Sequence, residues 1–182
     1  MEVGGKGSPM THNEENSIRV YERSSGITVA AITVHEAGFE KEKHGVLNWV
    51  EDEGAELERV VVGHCNKSAN DLPFLKELLE RGVYVEFVLI GQSEALGVSV
   101  QKQAAEAVVE LIEDGYCDKV LLAQDVCIKT HLKHYGGGGY SYMQETFVPH
   151  LATLGVTGEN IEMIFIQNPK TLLTFVQGFG SI

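Results

Sequence analysis

Short apolar runs alternate with longer amphipathic ones along most of the chain, and the alternation predicts strand followed by helix, repeated. Residues 27–35, 60–64, 83–88 and 119–125 are β-branched or aliphatic runs, long enough for one buried strand and too short for most helices. Between them lie helical patterns. Residues 44–54 put Val46, Leu47, Trp49 and Val50 on one stripe, with Trp49 assigned to the core. Asn70 or Asp71 caps a helix that carries Leu72, Leu75, Leu78 and Leu79 and stops at Gly82. Residues 100–114 place Ala104, Val108, Leu111 and Ile112 together, and Gly115 closes that helix. Near the start, Thr11 and Glu14 have the T-x-x-E order of a capping box, which predicts a helix from there to about Ser25, ended by Gly26. Two last helices, about 142–154 and 169–175, frame Ile161 to Ile166, and Asn168-Pro169 has the form of an N-cap followed by proline at N1. No linker divides the chain, so residues 1–182 read as a single α/β domain.

Strands joined through helices run parallel, and parallel strands bring their C-terminal ends to one rim. Three of the four apolar runs stop at a side chain able to bind metal: His35, His64 and Asp125. His35 and His64 are 29 residues apart and His64 and Asp125 are 61 apart, close to one and two strand-helix units of roughly 30 residues each. Zinc and similar ions bind neutral imidazole and carboxylate, and an open coordination position brings the pKa of bound water to near 7, which is hydrolase chemistry. The competing reading gives each residue a purely local role, with His35 a loop cap, His64 a satisfied half-buried histidine and Asp125 an N-cap. Glu86, an acid inside an apolar run, is either a rim group that binds substrate or a carboxylate paired with Arg or Lys.

Residues 126–143 form a connection of a length that is uncommon unless functional. It holds His131, His134, Tyr135, the glycines Gly136 to Gly139, Tyr140 and Tyr142. The glycines lack the order of a phosphate-binding loop and are read as a hinge or lid. His131 and His134, with no third ligand nearby, are read as surface or substrate-contacting side chains and not as a metal pair.

Composition narrows the partners. A formal charge of -12 and the absence of any Lys/Arg cluster argue against nucleic acid and anionic membrane surfaces as partners and leave a small-molecule substrate. No apolar run approaches the ~18 residues of a membrane span, and the first residues lack a signal-peptide core, so the expected location is the cytoplasm. Cys65, Cys117 and Cys127 are odd in number and lack CxxC spacing, which predicts reduced packing thiols.

Thr33-Val34-His35, Val61-Val62-Gly63-His64-Cys65, Leu121-Leu122-Ala123-Gln124-Asp125 and Asn168-Pro169 together resemble the second half of the phosphotriesterase family, within the metal-dependent amidohydrolase superfamily. The stretches 129–142 and 167–175 are similar to its phosphotriesterase-related branch. The resemblance implies a partial (β/α)8 TIM barrel, approximately strands 4 to 8 with their helices, whose complete site holds two Zn2+ at the C-terminal face. By that resemblance His35 and His64 are metal ligands on the fifth and sixth strands. Asp125 is the eighth-strand carboxylate that binds the other metal and takes the proton from the attacking metal-bound hydroxide. Glu2, in Glu2-Val3-Gly4, is the candidate bridging ligand, with Lys6 the second choice. Glu86 and Tyr135 are candidate substrate-binding residues. The implied reaction is hydrolysis of an ester, phosphoester, lactone or amide.

The departures are specific. No two histidines have the His-x-His spacing of the family's first strand, and strands one to three have no counterpart. Val88 stands where the branch carries an acid. The alternative reading is therefore a truncated, inactive metal-binding or interaction module. A half barrel also leaves sheet edges open and barrel-filling residues such as Val29, Val61, Val85 and Leu122, or their alternating neighbours, facing water, so homo-oligomerisation is expected.

Overall fold

The computed structural model describes residues 30–35, 40–92 and 98–174. The predicted helix near Thr11, the residues Glu2, Lys6 and Val29, and the last residues of the chain lie outside these.

Four short strands form one parallel sheet in the order β1 (Ile32–Val34), β2 (Val60–Val62), β3 (Tyr84–Phe87), β4 (Val120–Leu122). Spatial order follows chain order with no reversal, as in a sector of a (β/α)8 barrel and unlike a doubly wound sheet. Helix α1 (Glu40–Asp52) joins β1 to β2, α2 (Leu72–Glu80) joins β2 to β3, and α3 (Val98–Glu113) joins β3 to β4. Asp71 caps α2, its Oδ1 accepting from the Phe74 amide at 3.1 Å, and Gly82 and Gly115 end α2 and α3 with left-handed backbones.

The two faces of the sheet differ, as the period of two along each strand requires. Ile32, Val34, Val60, Val62, Val85, Phe87 and Val120 point to the helices and form the main core with Leu47, Val50, Leu75, Leu78, Val108 and Leu111. Trp49 is half-buried against this core. Val61, Tyr84 and Leu121 belong to the inner face, where they pack on Leu172. Two of the residues expected to fill a barrel interior are therefore placed otherwise: Val85 is in the outer core and Leu122 packs against it. Nor does Val61 meet water, since it is 2% exposed.

The inner face is covered through Leu172, on the last of the helices that follow β4 among the described residues. α4 (Val148–Thr153) follows a π turn, Met143–Phe147. Then α5 (Gly158–Glu162), a second π turn (Met163–Gln167) and α6 (Asn168–Leu173) run on as one helical rod. Each π turn stands just before a proline, Pro149 or Pro169. A proline inside a helix has no N–H to give and collides with the carbonyl four residues back, and a widened turn relieves both. Residues 161–166 are thus helical, continuous with the helix that follows.

Asn168 is corrected by the same observation. It is not an N-cap: its own backbone is helical and its side chain is 2% exposed, with Nδ2 donating to the Cys117 carbonyl at 2.9 Å and the Val120 carbonyl at 2.8 Å. It fastens the rod to the start of β4. At the same end of the sheet, Arg59 donates to the Leu172 and Thr174 carbonyls at 2.9 and 2.8 Å.

Candidate metal-binding rim

The strand register brings the two histidines together. Thr33 aligns with Val61 and Val34 with Val62, and the ladder continues when the Gly63 amide donates to the Val34 carbonyl at 3.0 Å. His35 and His64 then leave adjacent strands at nearly one height. Their Nε2 atoms are 2.9 Å apart, with the rings edge to face. At that distance the N–H of one ring donates to the lone pair of the other, and a cation held by both rings would displace that hydrogen and sit off the line joining the two nitrogens. Gly63 keeps the junction uncrowded: a Cβ there would lie a tight 3.3 Å from the Val34 carbonyl and 3.6 Å, an ordinary contact, from Glu86 Oε2.

Glu86 comes from the inner face of β3, opposite Leu121. Burial pushes its carboxyl above the usual glutamate range, the nearby Asp125 pushes it the same way, and His35 opposes both. Glu86 stands on β3, in the sheet between the strand that leads to His35 and the strand that leads to Asp125, and is coupled to both. It also lines a pocket of about 310 Å³ between the sheet and the C-terminal rod, with Thr33, Leu121, Phe165, Pro169 and Leu173 among its walls. Neither histidine lines this pocket, so it is a chamber under the rim and not the rim itself.

Asp125 follows β4 with a left-handed backbone, φ 51°. His64 and Leu89 share this conformation, at φ 54° and 60°, so three successive strand-to-helix loops turn through a region that most L-residues avoid. Histidine and aspartate enter it more readily than leucine does. Such turns concentrate where structure serves function.

Three carboxamides tie the rim loops in sequence. Asn66 Oδ1, after β2, accepts from the Val88 amide after β3 at 2.7 Å. Gln92 Nε2, after β3, donates to the Gln124 carbonyl at 2.8 Å and to the Asp125 carbonyl after β4. Gln124 Nε2 reaches the Tyr140 carbonyl at 2.6 Å. Asn66 and Gln92 are buried. Sequence reasoning passed over all three. The available signal was an Asn or Gln within a few residues of a strand end, too common to select without the contacts.

The long connection is packed against this rim. His131 Nδ1 lies 3.2 Å from the Asp125 carbonyl, and the Gly138 amide donates to the Gly91 carbonyl at 3.1 Å. A Cβ on Gly137 would overlap the His131 backbone, and one on Gly138 would overlap the Tyr142 ring. Gly137 and Gly138 serve close packing, while Gly136 and Gly139 take left-handed backbones. Tyr135 is half exposed, with His134 edge-on at 4.8 Å.

The donors fit a divalent cation in kind: two facing imidazoles, with two carboxylates electrostatically coupled beside them. Among the described residues no three His, Cys, Asp or Glu side chains gather closely enough to hold an ion by themselves. Glu2 lies outside those residues. Also among the described residues, no helix is long and apolar enough to cross a membrane.

Comparison with known proteins agrees with this architecture. Residues 1–173 match the model of the phosphotriesterase family. An N-acetyltaurine hydrolase of Dictyostelium discoideum is 29% identical over 93% of this chain and 48% of its own length. The crystal structure of a resiniferatoxin-binding protein from Rhodobacter sphaeroides superposes with a TM-score of 0.82 at 34% identity, covering 91% of this chain and 48% of that one. The phosphotriesterase homology protein of Escherichia coli, solved with phosphate in its active site, gives 0.81 at 26% identity, covering 95% and 58%. The chain spans about half the length of these relatives, and the four parallel strands are a partial barrel of their kind.

Proposed function

The chain belongs to the phosphotriesterase family, and from that premise we propose that it is the zinc-binding half of a hydrolase acting on an ester, phosphoester, lactone or amide. The observation that carries the proposal is the 2.9 Å approach of the His35 and His64 Nε2 atoms at neighbouring strand ends. His35 and His64 would hold one ion and Asp125 the other, with Glu2 the candidate bridging ligand. Zinc bound there supplies Lewis-acid polarisation of the scissile group and a water acidic enough to react at neutral pH.

The protein's own groups do the rest. Asp125, its carbonyl held by Gln92 and His131, presents its carboxylate on the rim and accepts the proton released as water attacks. Glu86, half-buried on the inner face under the rim and lining the pocket there, contacts the substrate from below. Tyr135 offers its half-exposed ring to the substrate from the side.

Asp125→Asn tests the assignment, because asparagine tolerates the left-handed backbone and keeps the shape while removing the base. In the zinc-reconstituted chain, assayed against a lactone, a phosphotriester and an N-acyl amide, kcat should fall about 100- to 10,000-fold with the unfolding midpoint unchanged. Full activity in the variant would remove Asp125 from the chemistry. A second reading, a metal-binding module without turnover, draws on there being, among the described residues, no three such donors at one point. It requires retained zinc with no hydrolysis of any of the three substrates.

A further inference from the structure

Beneath the rim lies a chamber with one acidic group in its lining and no basic one. It holds about 310 Å³ between the inner face of the sheet and the C-terminal rod, and most of its walls are apolar, Val61, Leu121, Phe165 and Leu172 among them. Thr33 and Glu86 are the two polar side chains in that lining. A space of this size, largely apolar with a few polar groups to set orientation, has the character of a small-molecule site.

Glu86 decides which molecule. Among the described residues no Lys, Arg or His forms an ion pair with it. Burial, Asp125 and His35 act on its carboxyl, with no hydrogen bond among the influences, and the first two push against its negative charge. The side chain is only half-buried, so a guest in the chamber can reach it. A carboxylate short of water and of donors is relieved most by a cation that also hydrogen-bonds to it. An anionic guest would meet the charges of Glu86 and Asp125 together, and a neutral one would leave the desolvated carboxylate without a counter-charge.

We propose that the chamber binds a small organic cation, an apolar skeleton bearing one primary ammonium group, with the ammonium on Glu86 and the skeleton against Val61, Phe165 and Leu172. The proposal goes beyond the hydrolase reading, since it needs neither a metal ion nor turnover at the rim.

Binding to metal-free protein tests it. 2-Phenylethylamine and 2-phenylethanol share a skeleton and differ in charge. Each is titrated by calorimetry into the chelator-treated full chain at pH 8, where the amine is a cation. The amine should bind about tenfold more tightly than the alcohol. Glu86→Gln, which keeps the shape and removes the charge, should bring the two affinities together, and Glu86→Asp should keep part of the preference. Amide NMR shifts locate the guest: Thr33, Val61 and Leu121 should respond to the amine, and His131 and Lys133 in the connection after β4 should not. Equal affinity for both compounds in the parent, no binding of either, a preference that survives Glu86→Gln, or shifts confined to residues outside the chamber would overturn the proposal.

Discussion

Burial draws Glu86 towards its neutral form, and the consequence can be read in stability. Its folded pKa is raised, first by desolvation and then by Asp125, against the opposing pull of His35. The contribution of Glu86 is therefore fully present below the ordinary glutamate range and is lost as pH rises through the raised value. Above that raised value, a charged carboxylate under the rim opposes folding. Glu86→Gln removes that charge, so in chelator-treated protein the variant should unfold at a higher temperature than the parent at pH 8. The gap should close as pH falls below the usual glutamate range. An equal gap at both pH values would place the effect in packing and not in charge. The same scale bears on the histidine pair: a side chain at Gly63 would crowd the Val34 carbonyl that the strand ladder uses just below the two rings.

Single polar side chains decide how the elements join. Asn168 is buried and satisfies two carbonyls, one of them at the first residue of β4. Asn168→Ala strands both acceptors, which should lower stability by about 1–3 kcal/mol and the midpoint by a few degrees per kcal/mol. Thermal unfolding followed by circular dichroism would show it, and an unchanged midpoint would make Asn168 dispensable to the docking of the rod. In sequence, Asn followed by Pro is locally indistinguishable from a helix start, and only the tertiary contact with Cys117 and Val120 turns it into a buried clamp. Gln92 was illegible for the same reason, because its partners are 32 and 33 residues away. The glycines of 136–139 signalled special backbone needs, but not whether those served motion or close packing. By contrast, strand ends could be read directly. A β-branched run stopping at His35 or His64 fixes both the position and the rim, since register and parallel direction follow from the repeated unit.

At the scale of the molecule, the sheet is a sector of a barrel with its inner face partly stopped by its own C-terminal rod. Leu172 closes over Val61, Tyr84 and Leu121, while Ile166 and Leu173 on the same rod remain 56% and 65% exposed. That exposed stripe, next to the pocket under the rim, is the surface we expect a second copy to cover. Light scattering on freshly purified protein at low micromolar concentration should give a dimer or larger species. A monodisperse, cooperatively unfolding monomer would show that the rod alone makes the half barrel self-sufficient. The central claim is simpler than any of these, namely that adjacent strand ends carry His35 and His64 to a shared cation. It is tested most directly by metal content. After zinc loading and exhaustive dialysis, elemental analysis of the parent should find retained zinc, and the folded double variant His35→Ala, His64→Ala should lose it. Equal zinc in both proteins would contradict the claim.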